Sequence, residues 1–136
     1  MPQRAWLDAN AAIALIEGPT HSLHHRALDL FRRVADGDLE VIVSAPMIVE
    51  LAWYLEHRLR WSRSRSASRL LQLIDSDGVI VLDLVVAPSL ELFRRNRRLD
   101  FVDAYLAACG QSIGPPVVAS LDRDFDRIDG VTRIGS

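Results

Sequence analysis

Between Arg4 and Ile134 the chain alternates short β-like runs with stretches whose apolar residues recur every three or four positions. That alternation restricts it to an α/β architecture. Arg4 to Leu7 reads as a first strand, and Asn10 to Ile16 as a short helix that Gly18 and Pro19 terminate. His21 to Ala35 is a second helix, with Leu23, Ala27, Leu30, Phe31 and Val34 on one face. Glu40 to Val43 is a second strand. Ser44, ahead of Ala45 and Pro46, is a helix start with a cap before a first-turn proline, and that helix runs to about Arg58. Ser66 to Asp75 is a further helix, Val79 to Leu82 a third strand, and Ser89 to Arg97 a helix after Pro88. Asp100 caps the last helix, Phe101 to about Gln111, before strands at Val117 to Ser120 and Val131 to Ile134. The pattern predicts a mainly parallel central sheet of about four to five strands flanked by helices, with a site beyond the strand carboxyl ends.

The 136 residues, 49% of them hydrophobic, suit a single domain over the whole length. One cysteine, Cys109, forms no internal disulfide, and no Cys/His cluster has zinc spacing, so a reducing, cytoplasmic setting is expected. Asp8 and Asn10 interrupt the apolar N-terminal stretch, which argues against a signal peptide. Val79 to Ala87 is broken by Asp83 and falls far short of the ~20 residues of a membrane span. A soluble protein with no membrane partner is expected.

All 16 basic residues are Arg. The lack of lysine excludes a Walker phosphate loop, a Schiff-base enzyme and a phospho-acceptor domain that depends on an ammonium group. It leaves cations suited to bidentate contact with phosphate or carboxylate.

The acids carry the functional signal. Asp8 follows the first strand directly, and Asp122 follows the Val117 to Ser120 strand by two residues, so both fall at strand carboxyl ends. Glu50 lies mid-helix with Pro46, Met47, Trp53 and Tyr54 one turn away, a largely apolar face on which a lone carboxylate needs a partner. Asp103 stands in the first turn of the helix capped by Asp100. Structural roles are open for each: Asp8 as a helix cap, Glu50 in an ion pair with Arg58 or another arginine, Asp100 and Asp103 as a capping box, and Asp122, Asp124 and Asp126 as a solvated turn. An EF-hand reading of that turn fails, because Arg127 and Arg133 occupy its glycine and glutamate positions.

"WLDANAAIAL" at 6–15, "VELAWYL" at 49–55, "DFVDAYLAA" at 100–108 and "VVASLDRDFDRI" at 117–128 together resemble the four acidic motifs of PIN-domain nucleases, and most closely the VapC toxins of bacterial toxin–antitoxin pairs. The resemblance spans essentially the whole chain in motif order. It implies a PIN-like fold, in which four acids hold Mg²⁺ or Mn²⁺ for hydrolysis of single-stranded RNA. Carried onto this sequence, it makes Asp8, Glu50, Asp103 and Asp122 the catalytic and metal-holding acids, with Asp124 able to share or take the fourth role. Asn10 and Ser120 match the accompanying polar positions. Ala9 stands where Thr or Ser is common, and Ser120 where Thr is usual. A small VapB-like antitoxin and a homodimer are the partners the resemblance implies.

Phosphodiester hydrolysis needs an activated water and neutralisation of the charge that builds on phosphoryl and leaving oxygens, and one or two divalent ions with hard oxygen ligands supply both. Without metal, converging carboxylates repel, each pair at ~4 Å by about 4 kcal/mol at an effective dielectric near 20. Positive charge for RNA comes in two blocks. Arg58, Arg60, Arg63, Arg65 and Arg69 surround Trp61, which can stack on an unpaired base. Arg94, Arg95, Arg97 and Arg98 precede Asp100, with Arg94 and Arg95 the candidate phosphate contacts. Trp53, Tyr54 and Leu55, with the Ser66 to Asp75 helix, offer a groove to a partner helix. His21, His24 and His25 are read as structural or surface residues. The expected function is a metal-dependent endoribonuclease acting as a toxin. The alternative is a non-catalytic PIN-like module that binds RNA or protein.

Overall fold

The computed structural model describes Met1 to Gly135, and the chain divides into two compact units, residues 1–83 and residues from Leu84 onward. The first unit runs β1 (Gln3–Trp6), α1 (Ala9–Glu17), α2 (His24–Ala35), β2 (Leu39–Val43), α3 (Ala45–His57), α4 (Arg63–Ile74) and β3 (Val79–Val81). Its three strands form a parallel sheet in the order β1-β2-β3, with Gln3 opposite Leu39 and Val41 opposite Val79. Two helices fill each crossover, because parallel neighbours cannot be joined by a tight turn.

β2 is central. Leu39, Val41 and Val43 are buried and alternate with half-buried Glu40 and Ile42, as a strand's two-residue period requires. Parallel pairing places the carboxyl ends of β1 and β2 on one edge, and both lead straight into capped helices. Asp8 caps α1, and Ser44 caps α3 by accepting the Met47 N–H at 3.4 Å. On α3, Ile48, Leu51, Ala52 and Leu55 form a fully buried stripe, each large side chain worth about 2 kcal/mol or more in burial. Gly78, at φ +81°, turns the chain into β3, where a Cβ would lie 2.6 Å from Val34 Cγ1.

The second unit runs α5 (Val86–Arg95), α6 (Phe101–Ser112), β4 (Val117–Ala119), a 3-10 turn (Arg123–Arg127) and β5 (Thr132–Ile134). α5 packs on α6 through Phe93 and Phe101, edge to face at 6.0 Å between ring centroids. β4 and β5 pair in parallel, with Val118 opposite Arg133, and Phe125 and Ile128 of the intervening segment are buried.

The mixed α/β fold with parallel strands agrees with the sequence expectation, its pairing recorded as three strands in the first unit and two in the second. Three helix starts differ. α2 begins at His24 rather than His21, because His21 belongs to a preceding turn in which its ring Nδ1 accepts the Leu23 N–H at 3.1 Å. α4 begins at Arg63 rather than Ser66, because Ser62 caps it by accepting the Arg65 N–H at 3.1 Å. α5 begins at Val86 rather than Ser89, with Pro88 inside the first turn, where a missing N–H leaves no helix bond unmade. Among the described residues no helix is long and apolar enough to cross a membrane.

Candidate active site

In the first unit the end of β1 fixes Asp8. The Leu7 N–H reaches Ile42 O at 2.8 Å, which carries the strand pairing up to the residue before it. Asp8 then takes the extended geometry of a cap and accepts the Asn10 N–H on Oδ2 at 3.3 Å. Its carboxylate is exposed at the carboxyl edge of the sheet, as is Asn10. The helix-cap role open in the sequence is therefore real, and it leaves the carboxylate facing solvent.

Glu50 departs from expectation. Its helix neighbours are apolar, yet it is exposed and no ion pair among the described residues joins it to Arg58 or another arginine. The helical period explains this: Met47, Ile48, Leu51 and Leu55 hold the core, while Pro46, Glu50, Trp53 and His57 fall on the opposite stripe. Trp53 itself is 55% exposed and stacks, tilted, against His57 at 5.2 Å. No desolvation cost arises, and no partner is needed. Glu50 lies in the second turn of α3, about 8 Å along the helix from the sheet edge where Asp8 sits.

The second unit gathers its acids more tightly. Asp100 caps α6 and accepts the Asp103 N–H on Oδ1 at 2.8 Å. Asp103 is half-buried, and its carboxyl is pushed above the ordinary carboxylate range. Burial is the largest cause, followed by the charge of Asp100, a side-chain hydrogen bond to Asp100 and the charge of Asp122. Ser120 is held by its N–H to Ile134 O at 2.9 Å, and its Oγ in turn accepts the Asp122 N–H at 2.9 Å. The β4–β5 pairing thus positions Asp122 through Ser120. Asp122 Oδ1 accepts the Asp124 N–H at 2.8 Å, and Asp124 lies 3.7 Å from Arg98 Nη1. Of the two neighbouring acids, Asp122 is the one whose charge reaches Asp103; Asp124 is partly neutralised by Arg98.

Sequence reasoning gave Asp100 only a capping role and missed its charge beside Asp103. The signal was present in the D-x-x-D spacing, which places the side chain of a cap against the third residue of the helix. No arginine pairs with Asp100, Asp103 or Asp122 among the described residues. A half-buried carboxylate beside two more, without a counter-ion, is a donor set that suits a hard divalent cation. No group of three or more His, Cys, Asp or Glu side chains among the described residues stands arranged to hold a metal ion, so the fit is one of chemistry and not of a preassembled cage.

The other candidates divide. Arg94 is bound to the Glu91 carboxylate, while Arg95 Nε donates only to the Glu91 carbonyl at 3.3 Å. Arg95 and Arg127 line a pocket of about 290 Å³ with Asn96 and Gln111. Two of the histidines make local contacts, His24 Nδ1 lying 2.8 Å from Ala14 O and His21 Nδ1 accepting the Leu23 N–H, and His25 is exposed.

The model of the PIN domain family matches residues 5–131, a span that contains Asp8, Glu50, Asp103 and Asp122. Comparison with curated proteins and with solved structures finds no match. A family match over so much of the length, on a parallel α/β fold with acids at its strand ends, means that the chain belongs to the PIN domain family.

Proposed function

We propose that this PIN-domain chain is a metal-dependent endoribonuclease that cuts single-stranded regions of RNA and acts as the toxin of a toxin–antitoxin pair. The observation that carries the reading is Asp103, a half-buried carboxyl raised by burial and by the acids Asp100 and Asp122, with no arginine ion-paired to it among the described residues. Such an arrangement is costly in the empty protein and favourable around a cation. Family membership supports hydrolysis, since PIN domains are generally nucleases that use divalent metals. The toxin role, a VapB-like antitoxin, a homodimer and a cytoplasmic setting rest on the likeness of the four motifs to VapC.

In this reading Asp8, Glu50, Asp103 and Asp122 hold Mg²⁺ or Mn²⁺, which when bound supplies the charge that activates water and offsets charge growing on the phosphoryl oxygens. Asp103, partly withdrawn from solvent, exerts a stronger field than an exposed carboxylate. Ser120 keeps Asp122 in place through the Asp122 amide, and the α1 cap keeps Asp8 turned outward. One of the four, Glu50 or Asp122, orients the attacking water in place of holding the metal, and Glu50 is exposed with no ion-pair partner among the described residues. Arg95 is available to substrate phosphate, whereas Arg94 is committed to Glu91.

The test is expression of the wild type beside Asp8→Asn in bacterial cells, with RNA ends mapped. Growth arrest and new RNA ends with the wild type alone support the reading. Identical RNA ends in both strains contradict it, and a purified protein that binds RNA but leaves it intact with Mn²⁺ favours the non-catalytic module.

A further inference from the structure

A second pocket lies in the first unit, at the far end of α1. Ile16, Glu17, Trp61, Arg65, Ser68, Arg69 and Gln72 line a pocket of about 620 Å³, within the size range of small-molecule sites. α1 is 9 residues long, which separates its C-terminal end from Asp8 by about 13 Å. The pocket is therefore set apart from Asp8 along α1.

Its chemistry is mixed in a particular way. Arg65 lies over the Trp61 ring, its guanidinium carbon 3.7 Å from the ring centroid, within cation–π range. Arg69 is half-buried, and burial lowers the pKa of its guanidinium. No acidic side chain among the described residues is paired with it. Glu17 lines the same pocket, but its carboxylate is held by the Tyr54 hydroxyl at 2.5 Å and the Thr20 hydroxyl at 3.4 Å. Ser68 and Gln72 add a hydroxyl and an amide from α4.

We propose that this pocket binds one nucleotide of a single-stranded nucleic acid, with the phosphate on Arg69, the base against the Arg65–Trp61 stack, and Glu17 and Gln72 at the base edge. A half-buried cation with no acidic partner among the described residues calls for an anion, and a guanidinium fork matches a phosphate in two contacts. The stack offers a face on which any unpaired base can lie. Glu17 only accepts, so it favours a base that presents an exocyclic amine, as cytosine does. An acidic peptide satisfies Arg69 but has no flat ring for the stack. The site deepens the nuclease reading and rests on it for the class of ligand.

The test is fluorescence anisotropy of labelled oligocytidylate and oligouridylate on the full chain in chelator, so that binding is scored without cleavage. Cleavage by the wild type with Mn²⁺ is measured separately, which keeps the failure of this site distinct from the failure of the nuclease reading. We expect oligocytidylate to bind more tightly than oligouridylate. We expect Arg69→Gln to weaken binding by about tenfold and to reduce the salt slope by about 0.7, one phosphate contact on a single strand. Arg65→Gln, at an exposed position, tests the stack without a buried change, with a several-fold loss expected. The proposal is overturned if the wild type binds neither oligomer, if both arginine variants bind as the wild type does, or if Arg69-dependent binding is found for oligoglutamate instead of RNA.

Discussion

Asp100 accepts the Asp103 N–H at 2.8 Å while its charge helps raise the Asp103 carboxyl, so one side chain both caps α6 and loads the acid one turn inside it. The two roles separate by substitution. Asn is as good a cap as Asp, and Asp100→Asn keeps the hydrogen bond while removing the charge. We expect the Asp103 titration, followed by NMR, to move down toward the ordinary carboxylate range in Asp100→Asn. Asp100→Ala should cost about 1 kcal/mol of stability through the lost cap. An unmoved Asp103 titration in Asp100→Asn would assign the shift to burial and Asp122 instead.

The raised Asp103 carboxyl also sets a pH dependence. Its folded pKa exceeds its unfolded one, so its stabilising contribution is complete below the unfolded value and is lost as pH rises through the folded value. Metal-free protein should therefore lose stability as pH rises from the carboxylate range through the raised value. Asp103→Asn should flatten that part of the curve and be more stable than the wild type above it. Denaturant melts in chelator across that range check the sign; a wild type that gains stability relative to the variant over that interval would refute it.

Arg133 ties the end of the second unit together. Its guanidinium donates to both Asp126 carboxylate oxygens at 2.9 and 3.3 Å, to Ser120 O at 3.0 Å and to Gly135 O at 3.1 Å. Arg133→Met should destabilise by about 2 kcal/mol, the order of a charged hydrogen-bonded group lost from a half-buried position. Lysine cannot reproduce the fork, so Arg133→Lys should recover only part of the loss. The hydrogen bond to Arg133 holds Asp126 below the ordinary carboxylate range, so this contribution is present above the unfolded value and lost as pH falls through the folded one. Urea unfolding of the three proteins at neutral and acid pH measures both effects.

Metal should stabilise the folded chain. At 100 times its dissociation constant a ligand specific to the native state adds about 2.7 kcal/mol, which for a domain of this size raises the Tm by several degrees. We expect Mg²⁺ and Mn²⁺ to raise the Tm of the wild type and to have little effect on Asp103→Asn or Asp8→Asn. Equal metal responses in all three proteins would remove these acids from the binding site.

The legible parts of this chain are those set by neighbours in sequence. Ser44 and Asp100 announce themselves as polar residues just ahead of a helical period, and both cap through their side chains. Asp8 was readable as a strand-end acid because the β1 run stops just before it. α4 began earlier than its apolar pattern suggested, since Arg63, Ser64 and Arg65 carry no periodic signal and only the Ser62 cap marks the start. The exposure of Glu50 was obscured because Met47 and Trp53, both apolar and one turn away, fall one within the buried stripe and one on the exposed face. Asp122 could not be separated from Asp124 by spacing. Their surroundings, Arg98 beside Asp124 and Ser120 held by β5 beside Asp122, are set by tertiary structure.

The most direct measurement is cleavage of a single-stranded RNA by purified wild type and Asp103→Asn in Mn²⁺, with both proteins shown to be folded by circular dichroism. We expect the wild type to produce discrete fragments that chelator abolishes, and the variant to lose activity by at least a hundredfold, the scale on which loss of a charge-stabilising group in an active site is felt. RNA left intact by a folded wild type, or cut equally by Asp103→Asn, would contradict the assignment of this carboxylate cluster as a nuclease site.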